Sequence, residues 1–198
     1  TVEVFHGNLR ADGHRWLKLH CAPQYVDSPF QPIVDGIGRF LEWGADTTDA
    51  ERLRRLQSMM RLAELEQENL PMLASLLGIP AGELYQLPEV SPMRMRALTV
   101  EALLGLCFGL SNDRPLVVAV EDVHWMDPST LEVVDQLIDE IPTAPIFLVL
   151  TARPEFAPPW RPRSHIAQLA IGRLQRADVV NLITGLAGGS AVPDEVAQ

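Results

Sequence analysis

Glu121 and Asp122 are adjacent acids placed directly after five apolar residues, Leu116 to Val120. A carboxylate pair at such a junction can hold Mg²⁺ through water and can orient or deprotonate an attacking water. The same pair can instead mark a solvated strand end, because paired carboxylates also occur in structural sites. A second apolar run, Ile146 to Leu150, ends in Thr151-Ala152-Arg153-Pro154-Glu155. An arginine at a strand's carboxyl end can contact a terminal phosphate and pass that state to a mobile loop. It can equally pair with a surface acid such as Glu155.

The elements that must position these residues are legible around them. Three of the five residues from Leu116 to Val120 are valine, which favours a buried strand over a helix. Apolar residues on both of its faces predict a parallel sheet covered on both sides. Asp127 is placed to cap a helix N-terminus and Pro128 suits its first turn. Leu131, Val134, Leu137, Ile138 and Ile141 then recur on one helical face. In open α/β sheets ligands sit outside the carboxyl ends of the strands, where both acids fall.

Upstream, residues 1–11 have helical spacing, closed by the turn signal Asp12-Gly13. Arg15 to Cys21 reads as a short strand, and Pro32 opens a helix over Ile33 to Trp43. Thr47 to Leu77 is charged and helical, with Leu53, Leu56, Met60, Leu62, Leu65 and Leu70 as its apolar stripe. Met59 and Met60 read as core, and Glu64, Glu66 and Glu68 as a solvated face. Pro71 starts a further short helix that Gly78 ends. A loop leads to a helix from Met93 to Leu110, with Arg94 and Arg96 at its solvated start. After the Thr151–Arg153 segment, prolines 158, 159 and 162 exclude regular structure. Ile166 to Ile171 is a candidate final strand and Asp178 to Leu186 a helix.

The 198 residues suffice for one domain, or one plus a fragment, and 47% are hydrophobic. A net charge of −10 argues against a nonspecific nucleic-acid surface, which would be basic. It leaves nucleotide binding open, since one phosphate site needs only local donors. Cys21 and Cys107 form neither a disulfide framework nor zinc spacing, and Cys107 reads as a small core residue. No apolar run reaches membrane-spanning length and no signal peptide is visible, so the cytoplasm is the default compartment.

The stretch VVAVEDVHWMDPSTLEVVDQLI resembles the Walker B region of the AAA-type ATPase modules of bacterial signalling proteins, in the STAND class of P-loop NTPases. Such modules accompany class III adenylate/guanylate cyclase domains and LuxR-type regulators. The specific part is Glu-Asp-x-His-Trp-x-Asp-Pro-Ser-Thr-Leu, and Thr151-x-Arg153 is similar to the family's sensor 1. The resemblance implies a three-layer α/β P-loop fold with a parallel sheet. It implies a partial ATPase core over residues 1–172 and the beginning of a helical lid over 173–198. Glu121 takes the metal-side role for Mg²⁺, Asp122 the water-orienting role, and Thr151 and Arg153 the contact with ATP. The implied partners are ATP and other domains of the same protein, with no nucleic acid and no membrane.

Two departures qualify that picture. No Gly-x-x-x-x-Gly-Lys-[Ser/Thr] phosphate loop occurs, and the single lysine, Lys18, lies in the first strand. The expectation is a fragment whose phosphate loop precedes Thr1, leaving the slot of the phosphate-loop strand beside Ile146–Leu150 empty. The acids also stand in the order Glu-Asp, whereas most Walker B motifs place Asp first. Asp122 is one methylene shorter than the usual base, which suits a slowly hydrolysing switch. The rivals are a nucleotide-free degenerate scaffold that transmits interdomain contacts, or part of a protein whose activity is adenylate or guanylate cyclase.

Overall fold

The structure, a computed structural model, describes residues 2–9, 13–80 and 85–172. Its centre is β2 (Leu116–Glu121), flanked by β1 (Arg15–His20) and β3 (Ile146–Leu150) in a parallel sheet of order β1-β2-β3. Leu17 pairs with Val118, Val118 in turn with Leu148, and His20 with Glu121. Side chains alternate across a strand, so this register sorts them into two faces. Leu17, Leu19, Leu116, Val118, Val120 and Leu148 join the main core, whereas Trp16, Lys18, Glu121 and Phe147 share the opposite face. Full burial of one Val or Leu stabilises by about 1.5–3 kcal/mol, so β2, buried from Leu116 to Val120, anchors the sheet.

The core face is covered by α2 (Gln31–Phe40), α3 (Asp49–Leu62), α5 (Pro92–Ser111) and α6 (Pro128–Glu140). Ile33 and Ile37, Met59, Leu103 and Leu106, and Val133, Val134 and Leu137 supply their buried contacts. A short α4 (Leu70–Leu76) packs against α5 and stops at Gly78, whose positive φ of 66° suits glycine. On the other face lies α1 (Val2–Leu9), where Phe5 meets Trp16 and Phe147 at ring distances of 6.1 and 6.0 Å. At Gly109 of α5 a Cβ would stand 1.9 Å from the Ala63 carbonyl oxygen at the end of α3, so only glycine fits.

Several expectations need correction. The apolar stripe of the charged helix runs through Leu53, Leu56, Met60 and Ala63, while Leu62 is 47% exposed. Spacings of three, four and three keep one face, and Leu62 falls about 140° away from its centre around the helix. Sheet cover is complete only for β2: β3 is an edge strand whose Phe147 is 57% exposed. The face of α6 centres on Thr130, Val133, Val134, Leu137 and Ile138, with Leu131 and Ile141 only half-buried.

The segment Ile166 to Ile171 is not a strand, and Ile166, Leu169 and Ile171 are exposed. An apolar run becomes a strand only when a neighbour completes its ladder, and none does so among the described residues. The chain divides into two compact units, residues 1–161 and 162–198. The helix and lid expected over residues 173–198 lie outside the described residues.

Candidate functional site

The carboxyl end of β2 is built by three strands ending together. The Cys21 amide donates to the Glu121 carbonyl at 2.9 Å, and the Thr151 amide donates to the Val120 carbonyl at 3.0 Å. Asp122 then breaks the strand: its φ of 57° and ψ of 45° are left-handed, a conformation that Asp tolerates better than most residues. The bend is held from β3, since the Asp122 amide donates to Thr151 Oγ1 at 3.1 Å and the Val123 amide to the Thr151 carbonyl at 2.9 Å. Thr151 is therefore a backbone clamp on the acid pair.

The two carboxylates occupy different surroundings. Lys18 Nζ lies 3.0 Å from Glu121 Oε2 and also bonds Glu3 of α1. Glu121 is largely covered, while the Asp122 side chain is 49% exposed. His20 Nδ1 stands 4.0 Å from both Glu121 Oε2 and Asp122 Oδ2. The Lys18 ammonium is held above the ordinary lysine range, first by its bond to Glu3 and then by Glu121, against the opposing cost of burial.

A single turn over Val123–Trp125 carries the chain from the acids to α6. Asp127, fully buried, ends it. Its Oδ1 accepts from the amides of Ser129 at 2.9 Å, Thr130 at 3.1 Å and Phe30 at 3.0 Å, and its Oδ2 accepts from Thr130 Oγ1 at 2.5 Å. The expected N-cap thus also fastens the loop before α2, at a point where Phe30 itself has a φ of 61°. Burial and the nearby Asp127 and Asp122 push the Cys21 thiol up to about 12, so the neighbouring cysteine is an inert core group.

Arg153 does not pair with Glu155; its guanidinium lies 5.9 Å from the centre of the Trp125 ring. The Phe156 amide donates to the Arg153 carbonyl at 3.0 Å, closing a turn just beyond β3. Both ring nitrogens of His124 are buried without a hydrogen-bond partner. Arg94 pairs with Glu101, and Arg96 with Glu132 at 2.6 Å, tying α5 to α6.

Four of the sequence-derived site residues therefore gather at neighbouring strand ends: Glu121, Asp122 and Thr151, joined by the Asp122–Thr151 hydrogen bond, and Arg153 against the intervening turn. Sequence reasoning passed over Lys18, His20 and Trp125. Lys18, His20 and Glu121 share strand parity, but that signal becomes useful only once the register His20–Glu121 is known.

No protein-family model and no solved structure matches the chain. Among curated proteins it is similar to the uncharacterized protein R02095 of Rhizobium meliloti (strain 1021), with 25% identity over 162 residues. The alignment takes in 82% of this chain and 16% of that protein, so the chain spans a small part of the length of the curated relative it matches.

Proposed function

We propose that the chain is the Walker B and sensor 1 portion of an ATP-binding, slowly hydrolysing regulatory module within a larger signalling protein, built as an AAA/STAND-type P-loop domain. The observation that carries the reading is the meeting of Glu121, Asp122 and Thr151 at the carboxyl ends of two adjacent parallel strands, with Arg153 just beyond. That is where ligands of open α/β sheets bind. The resemblance of the Glu121–Leu131 motif supplies the identity of the ligand.

The residues fit Mg²⁺ in the manner usual beside nucleotides. Glu121 and Asp122 offer hard oxygen donors, and no closed set of three metal-ligating side chains forms among the described residues. Mg²⁺ needs no such cage when one or two carboxylates, waters and substrate phosphates complete its shell. Bound there, it would neutralise charge developing on the transferred phosphate. Asp122, exposed and fixed by Thr151, orients the attacking water, and Arg153 reads the terminal phosphate after leaving Trp125. ATP hydrolysis by the intact protein, wild type against Asp122→Asn, tests this assignment.

The phosphate cradle itself is not encoded in these 198 residues. The chain by itself is therefore expected to bind ATP weakly or not at all in a calorimetric titration; tight binding would show that phosphates are held by other groups. A nucleotide-free scaffold is the second reading. It is favoured by the way Lys18 already compensates Glu121 and Arg153 already lies beside the Trp125 ring.

A further inference from the structure

We propose that Lys18 is the positioning residue of the acid pair: it holds Glu121 and competes with a divalent cation for it, so that the cation binds weakly alone and more tightly together with phosphates. The role of the cation rests on the nucleotide reading above; the competition itself does not.

Four observations place the ammonium. Lys18 lies on β1, two residues before His20, and so points to the same face as Glu121. Its backbone is pinned from α2, where Arg39 Nη2 donates to the Lys18 carbonyl at 3.1 Å. A Cβ at Gly36 would come within 2.9 Å of that same oxygen. The side chain then spans from Glu121 Oε2, at 3.0 Å, to Glu3 on α1. It is the single lysine in the sequence, so no neighbouring lysine can replace it.

The electrostatic consequence has a definite sign. Glu3, Glu121 and Asp122 bring three negative charges to this end of the sheet, and Lys18 removes one. A divalent ion approaching Glu121 meets a unit positive charge already on one carboxylate oxygen. Even with strong solvent screening, two charges against one a few ångströms apart repel by about 1–2 kcal/mol. The phosphates of a nucleotide bring enough negative charge to overcome that repulsion. Asp122, half-exposed and held by no contact from Lys18, stays available to water. Lys18 thereby makes the pair unequal: Glu121 is oriented and neutralised, and Asp122 is the exposed base.

The test uses Mn²⁺ as the probe, on the intact protein without nucleotide, with free Mn²⁺ followed by electron paramagnetic resonance. Lys18→Met is expected to bind Mn²⁺ about five- to thirtyfold more tightly than wild type, and Lys18→Arg to match wild type. The gain should vanish in a Glu121→Gln background, because the competition runs through that carboxylate. A folded Lys18→Met protein with wild-type Mn²⁺ affinity overturns the proposal, as does an equal gain in the Glu121→Gln background. Lys18→Gln provides the same comparison should Lys18→Met fail to fold. Absence of ATP hydrolysis in the wild type would count against the nucleotide reading while leaving the Mn²⁺ comparison decisive for Lys18.

Discussion

Asp122→Asn in the intact protein is expected to slow ATP hydrolysis about a hundredfold while leaving ATP affinity unchanged. The size follows from the role: a positioned group that accepts or orients a proton contributes at least that factor. The variant is also conservative where it needs to be. Asn accepts the left-handed backbone at this position as readily as Asp, so the φ of 57° adds no new strain. The Asp122 amide keeps its bond to Thr151 Oγ1, and the Glu121–Lys18 pair is untouched. Only the charge and basicity of one half-exposed side chain change. Single-turnover hydrolysis alongside equilibrium binding separates the two effects. Unchanged turnover would remove Asp122 from the chemistry, and a parallel loss of binding would give it a role in holding the nucleotide instead.

Asp127→Ala should destabilise the fold by roughly 3 kcal/mol, the sum of a lost helix cap and a stranded buried amide. The carboxylate is fully buried and accepts from four donors on two separate segments. Removing it uncaps α6 at Ser129 and Thr130 and strands the Phe30 amide, which bends the chain into α2. For a chain of this size that corresponds to a fall in Tm of about 6–12 °C. Asp127→Asn keeps the oxygen that serves the three amides, so it should cost much less. Thermal denaturation of both variants, followed by circular dichroism, checks the contrast; equal losses would mean that the negative charge, rather than the hydrogen-bond geometry, holds the junction.

Much of this arrangement was written locally in the sequence. Asp127-Pro128 announces a helix start by capping chemistry alone, and Leu116–Val120 announces a buried strand by its valines. The parallel arrangement of Arg15–His20, Leu116–Glu121 and Ile146–Leu150 also agrees with the expected sheet. What local chemistry could not supply was register and company. That Lys18 would meet Glu121 depends on β1 pairing with β2 at one offset among several. That Asp127 would also hold Phe30 depends on how a distant loop returns. Leu62 read as core because the stripe was followed by residue type past the point where its angle left the face. Ile166 to Ile171 read as a strand because apolar runs do not reveal whether a neighbour is present to complete the ladder. The positive φ at Asp122 had no sequence signal beyond the tolerance of Asp for it, yet it is what turns the second acid outward from the strand.

A nucleotide site at the carboxyl ends of β2 and β3 is tested most directly by equilibrium binding of ATP to the intact protein in the presence of Mg²⁺. The account predicts saturable binding, one ATP per chain, with Mg²⁺ strengthening it. No binding of ATP, ADP or GTP by the folded intact protein would contradict it, and would leave Glu121, Asp122 and Arg153 as the polar joints of a nucleotide-free scaffold.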